Sequence, residues 1–181
     1  MEFPAFLSRI GRWALYRVDP YYLVHKAKEL QYHTKMINSG RYVNDSMGRY
    51  IGKKVVKKII SQGKNILGAH VLVMGMTFKE NVSDIRNSKV ADIINEFKDF
   101  GAEVDVMDPF ASPLEVLQEY GIRLVERPGK KYDAVVVAVA HTTYLKLDES
   151  YFMSITNEHA VLADVKGVYR GSIHQMIYWS L

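Results

Sequence analysis

Residues 69–88, AHVLVMGMTFKENVSDIRNS, pass from an apolar run through a charged loop to the start of a helix. Val71, Leu72, Val73 and Met74 form a near-continuous apolar run rich in β-branched residues, which suits a strand buried on both faces of a parallel sheet. Gly75 ends that strand. The turn after it carries Lys79, Glu80, Asp84 and Arg86. Asn87 or Ser88 is then placed to cap a helix whose apolar positions Val90, Ile93, Ile94 and Phe97 recur at helical spacing. In an open α/β sheet, ligands bind beyond the carboxyl ends of the strands, and a helix N-terminus offers N–H groups to an anion. A lysine and an arginine in such a loop suit a phosphate or pyrophosphate.

Downstream, the same alternation continues. The pattern predicts strands over 69–74, 103–107, 122–125, 134–140 and 160–164, and helices over 88–100 and 112–120, with a shorter piece within 144–154. This is the signature of an α/β fold, a Rossmann-like parallel sheet with flanking helices and right-handed crossovers. Upstream, Asp19 and Pro20 make a good helix start, and Leu23, Ala27 and Leu30 recur on one face. A loop is expected around 38–40. A second helix is expected from 44–46 to Gly63, with Lys53, Lys54, Lys57 and Lys58 opposite Val55, Val56, Ile59 and Ile60. That lysine cluster reads as the solvated face of an amphipathic helix rather than a nucleic-acid surface. Residues 1–17 show no clear period.

Two segments carry a resemblance. FKENVSDIRNS (78–88) resembles the loop that opens the nucleotide-sugar-binding domain of the UDP-glucose/GDP-mannose dehydrogenase family. VDPYYLVHKA (18–27) resembles the segment just after that family's catalytic cysteine, in the branch acting on UDP-N-acetylhexosamines, most like the UDP-N-acetylmannosamine type. The match stops at Val18, because Arg12 to Arg17 stand where the cysteine segment should be. The resemblance implies an NAD-dependent oxidation of a sugar C6 alcohol. It also implies three parts: an atypical leader (1–18), a helical remnant of a central dimerisation domain (19–64) and a UDP-sugar-binding α/β domain (65–181).

Composition narrows the classes. The 181 residues are 48% AVILMFWYC and 24% charged, as in an ordinary globular protein, and the net charge of +4 is too small to argue for nucleic acid. There is no cysteine, so disulfides, zinc thiolates and cysteine catalysis are excluded within this sequence. The longest apolar run, 134–140, is far too short to span a bilayer, and 1–10 lack the features of a signal peptide. The expectation is a cytoplasmic protein without a membrane partner.

The candidate site residues have two readings each. By the resemblance, Phe78 and Lys79 contact the nucleotide sugar; otherwise they are a core aromatic and a surface lysine. Lys166 lies after the last strong strand and either meets the same ligand or is solvated. The family often has an arginine there, whose planar fork lysine lacks. Arg86 matches an arginine that reaches NAD across the domain cleft, and it could equally pair with Asp84. Asp19 matches an aspartate that handles protons, yet its capping role explains it without chemistry. Leu15 stands at the cysteine position and supplies no nucleophile.

No G-x-G-x-x-G follows Gly75, so spacing does not predict NAD binding by this chain. The six histidines show no metal spacing and read as structural. The expected partners are UDP or a UDP-sugar, a second copy in a homodimer, and a separate polypeptide supplying the NAD domain. Two rivals stand beside a dehydrogenase portion that is inactive alone: a non-catalytic nucleotide-sugar-binding or assembly module, and an inert truncated gene product.

Overall fold

The computed structural model describes residues 22–181. Leu15, Asp19, Pro20 and the leader therefore lie outside the described residues. The described chain falls into two compact units, one up to Ser46 and the other Met47–Leu181.

The first unit is helical. Helix α1 covers described residues 22–29, and Gln31 breaks it with a φ of 56°. Helix α2 (Lys35–Ser61) then starts nine residues before the expected position. The loop expected around 38–40 is absent, because Gly40 sits inside the helix; one glycine costs a helix interior only about 1 kcal/mol. Tyr22, Leu23, Leu30, Tyr32, Met36, Tyr42 and Val43 are exposed.

In the second unit five parallel strands lie in the order β2-β1-β3-β4-β5: β1 (His70–Met74), β2 (Glu103–Met107), β3 (Tyr132–Val137), β4 (Thr156–Asp164) and β5 (Ile177–Ser180). Helix α3 (Val90–Asp99) joins β1 to β2, and α4 (Pro113–Tyr120) leads from β2 toward β3. A 3-10 turn (Tyr144–Lys146) and α5 (Glu149–Ile155) link β3 to β4. Chain order reverses between β1 and β3, so the crevice at their carboxyl ends is the topological switch point.

The central strands are buried on both faces, as their unbroken apolar runs require. Val71, Val73, Ala134 and Val136 face one core with Val55, Ile59, Ile94 and Phe97. Leu72, Met74, Val135 and Val137 face the other with Tyr144, Phe152 and Tyr169. Each such aliphatic side chain is worth about 1.5–3 kcal/mol on burial. Helices α2 and α3 approach closely where glycines replace side chains: a Cβ on Gly48 would lie 2.6 Å from Asp92 Cβ, and one on Gly52 2.8 Å from Glu96 Cβ.

Several expectations are corrected. Residues 122–125 make only an isolated bridge, Val106 to Leu124, because the run is short and flanks the edge strand β2. Ile60 is exposed rather than on the packed face of α2. The N-cap position of α3 is Lys89, without a side-chain cap, although Ser88 Oγ accepts from Val90 N–H at 3.3 Å. Strand β3 stops at Val137, and Val139 folds over Gly75, whose φ is 94° and whose missing Cβ would lie 2.5 Å from Val139 Cβ. Strand β5 was not expected; it is short, aromatic and at the sheet edge.

Candidate functional site

The loop 75–89 leaves the carboxyl end of β1 beside the switch point. Its first amides are held from β2: Asp108 Oδ2 accepts from Met76 N–H at 2.6 Å and Thr77 N–H at 3.0 Å. The other oxygen, Oδ1, accepts from Phe110 N–H at 2.7 Å and Ala111 N–H at 3.0 Å. A buried carboxylate is costly unless its oxygens are bonded, and here both are. Burial alone would raise its pKa, but the His141 hydrogen bond and the amides of Met76, Phe110 and Thr77 outweigh it. Asp108 therefore ionises well below the usual carboxylate range.

His141 follows β3, and its side chain, like that of Asp108, is fully buried. Nε2 lies 3.1 Å from Asp108 Oδ2 and 3.3 Å from Thr77 Oγ1. Nδ1 accepts from Asn81 N–H at 3.0 Å. An amide can only donate, so the proton of the neutral ring sits on Nε2 and points at Asp108. The ring packs against Phe110 and Tyr144, with centroids 4.8 and 5.4 Å away.

Each expected site residue on the loop has a defined place. Phe78 is 40% exposed and so not a core aromatic; its N–H donates to Asp84 O at 2.7 Å. The carbonyl of Lys79 accepts from Thr77 Oγ1 at 3.0 Å. Arg86 makes a bidentate pair with Asp84, Nε to Oδ1 and Nη2 to Oδ2 each at 2.9 Å. That pair is on the surface, where such bridges contribute about 0–1 kcal/mol. The Arg86 hydrogen bond is the main cause of the lowered Asp84 pKa.

Lys166 comes from the far side of the sheet. It sits in the turn after β4, a turn built on the buried Asp164, which accepts from Gly167 N–H at 2.9 Å, Tyr169 N–H at 2.7 Å and Tyr178 Oη–H at 2.8 Å. Lys166 Nζ reaches to 3.4 Å from Glu80 Oε1, so the turn after β4 and the loop after β1 meet. Glu80 ionises below the usual range, first through its own backbone N–H, against partial burial, and then through Lys166. Phe78, Lys79 and Lys166 thus belong to adjoining segments of one sheet edge. Arg86 faces a cleft of about 460 Å³ lined also by Asp84, Ile85, Glu115, Gln118 and Glu119.

An NAD pyrophosphate does not fit the end of β1. The amides that would cradle it there, those of Met76 and Thr77, are already bonded to the Asp108 carboxylate, which would also repel phosphate. The turn also runs on to the N-cap position Lys89 before α3 begins, rather than entering the helix directly. Among the described residues no group of three His, Asp or Glu is placed to hold a metal ion, and no helix is long and apolar enough to cross a membrane.

Sequence reasoning missed Asp108, His141 and Asn81 as parts of this edge. Asp108 and His141 carried one faint signal: a polar residue at the end of each apolar strand segment, where a switch-point side chain must stand.

Residues 72–171 match the UDP-glucose/GDP-mannose dehydrogenase family, UDP binding domain. The chain is 41% identical over 150 residues to a Pseudomonas aeruginosa protein named UDP-N-acetyl-D-glucosamine 6-dehydrogenase, a match covering 82% of this chain and 36% of that protein. It is 28% identical over 153 residues to a Methanocaldococcus jannaschii protein named UDP-N-acetyl-D-mannosamine dehydrogenase, covering 83% of this chain and 33% of the relative. The chain thus spans about a third of the length of the curated relatives it matches. Among solved structures, the NDP-N-acetyl-D-galactosaminuronic acid dehydrogenase of Methanosarcina mazei superposes with a TM-score of 0.76 at 21% identity, over 90% of this chain and 36% of that one. At that identity the likeness speaks for the fold alone.

Proposed function

The chain belongs to the UDP-glucose/GDP-mannose dehydrogenase family, through its UDP binding domain, and on that premise we propose that it holds the UDP part of a UDP-N-acetylhexosamine for a 6-dehydrogenase. The observation that carries this reading is the meeting of two basic segments at the switch point, the Lys79 loop and the Lys166 turn, linked through Glu80. Lys79 and Lys166 supply charge to the diphosphate, and the exposed face of Phe78 supplies a surface for the nucleotide. The sequence suggested the mannosamine type. The glucosamine configuration is the second reading, favoured by 41% identity to a relative of that name against 28% for a mannosamine one.

Dehydrogenases of this family are NAD-dependent. We propose that this chain does not itself bind NAD or oxidise the sugar: Leu15 stands at the cysteine position, Asp19 is a base without a nucleophile to serve, and Arg86 is engaged by Asp84. Restoring Leu15→Cys alone then leaves it inactive. A separate NAD-domain polypeptide would complete the site. Residues 19–64 are read as the dimerisation segment and 65–181 as the UDP-binding domain, with the exposed apolar residues of the first unit facing a second copy. Sedimentation at micromolar concentration would show a dimer; a clean monomer would count against it.

Calorimetric titration of the purified chain with UDP and with NAD separately tests the reading. Binding of UDP but not NAD is expected. Lys79→Ala should weaken UDP binding by about 1–3 kcal/mol, the worth of a charge-assisted hydrogen bond. No heat with UDP, or NADH formation from UDP-N-acetylmannosamine or UDP-N-acetylglucosamine by the chain alone, would overturn it.

A further inference from the structure

The imidazole of His141 is buried at the switch point, yet one of its nitrogens bonds the backbone of an exposed loop residue. Asn81 has a φ of 58° and is itself exposed. Its N–H ends on His141 Nδ1 at 3.0 Å, and its Oδ1 accepts from Thr142 N–H at 2.9 Å and Thr142 Oγ1–H at 3.0 Å. Two residues earlier, the Lys79 carbonyl is held by Thr77 Oγ1, which touches the other ring nitrogen at 3.3 Å. The backbone bearing Lys79 is therefore fixed on both sides by groups that meet at one ring.

We propose that His141 is a positioning residue for nucleotide-sugar binding, its Nδ1 acceptor fixing the loop 77–81 so that Phe78 is presented to the nucleotide and Lys79 to the diphosphate. The proposal rests on the UDP-binding reading above. It assigns the two ring nitrogens separate work: Nε2–H completes the buried Asp108 site, and Nδ1 sets the loop. Phe110 and Tyr144, packed on the ring, keep it from turning to exchange those roles.

Two substitutions separate the nitrogens. Asparagine places its amide near Nδ1 and so restores an acceptor for Asn81; glutamine reaches Nε2 and so restores a donor for Asp108. His141→Gln should weaken UDP binding about tenfold, the worth of one hydrogen bond, while His141→Asn loses clearly less. Thermal stability should follow the opposite order, His141→Asn falling further because Asp108 loses its buried donor. That crossed order supports the proposal; a purely structural histidine would move affinity and stability in step, and parallel losses or unchanged affinity in both variants would overturn it.

Amide hydrogen exchange on the native chain needs no variant. Asn81 should exchange as slowly as Met76 and Thr77, and exchange as fast as its exposed neighbour Ser83 would overturn the proposal. If the native chain gives no heat with UDP, the functional reading fails and this inference fails with it. If it binds UDP and the variants bind equally well, the inference alone fails.

Discussion

Asp108 gathers five donors, four backbone amides and the ring of His141, onto two oxygens. Replacing it with alanine leaves buried donors unpaired, and Asp108→Ala should cost about 3–5 kcal/mol in urea denaturation, against less than about 0.5 kcal/mol for an ordinary surface aspartate. The sign of its pH effect follows from the lowered pKa. The unfolded chain binds the proton more readily than the folded one. The stabilisation is therefore complete above the unfolded value of about 4 and drains away as the pH falls through it toward the folded value. The native chain should accordingly lose more stability between pH 6 and pH 3, read by denaturant midpoints, than Asp108→Asn, which has no carboxylate to protonate. In the sequence this residue stands out only faintly, as a polar position at the end of an apolar strand segment. Two of its five donors are amides 31 and 32 positions earlier and a third is a ring 33 positions later, distances that no local pattern reports.

Elements were legible wherever burial imposed a period. Strands β1 and β2 and helices α3 and α4 follow from apolar runs and helical spacing, and Ser112 caps α4 by accepting from Glu115 N–H. What the sequence concealed was weakly patterned: β5, half-buried along its length, and the continuity of α2 through Gly40. The glycines of α2 make a test at this scale. At Gly40 an added Cβ meets nothing within 4 Å, so Gly40→Ala should stabilise by about 0.5–1 kcal/mol. At Gly48 and Gly52 the same methyl overlaps α3, and an overpacking cost of about 1–3 kcal/mol exceeds the propensity gain. Gly48→Ala and Gly52→Ala should each lower the melting temperature while Gly40→Ala raises it. A rise in all three would show that α2 and α3 are not in close contact.

Across the whole molecule, the α/β class was readable from alternation, but the convergence at the switch point was not. Asn81 and His141 are 60 positions apart, and Glu80 and Lys166 meet only because strand order brings the ends of β1 and β4 to one edge. That edge is built in an unusual electrostatic manner. Asp108 takes the amides of Met76, Thr77, Phe110 and Ala111, and Asp164 takes those of Gly167 and Tyr169. The backbone donors that many sheets of this kind turn toward a phosphate are thus neutralised from within. Under the proposed function, attraction for a diphosphate then falls to the lysine side chains of this edge, within reach of dissolved ions that screen charge over about 10 Å at 0.1 M. Affinity for UDP should therefore behave as an ionic-strength-dependent quantity, weakening about fivefold or more as salt rises tenfold, whereas uridine, which carries no phosphate, should bind with little response to salt.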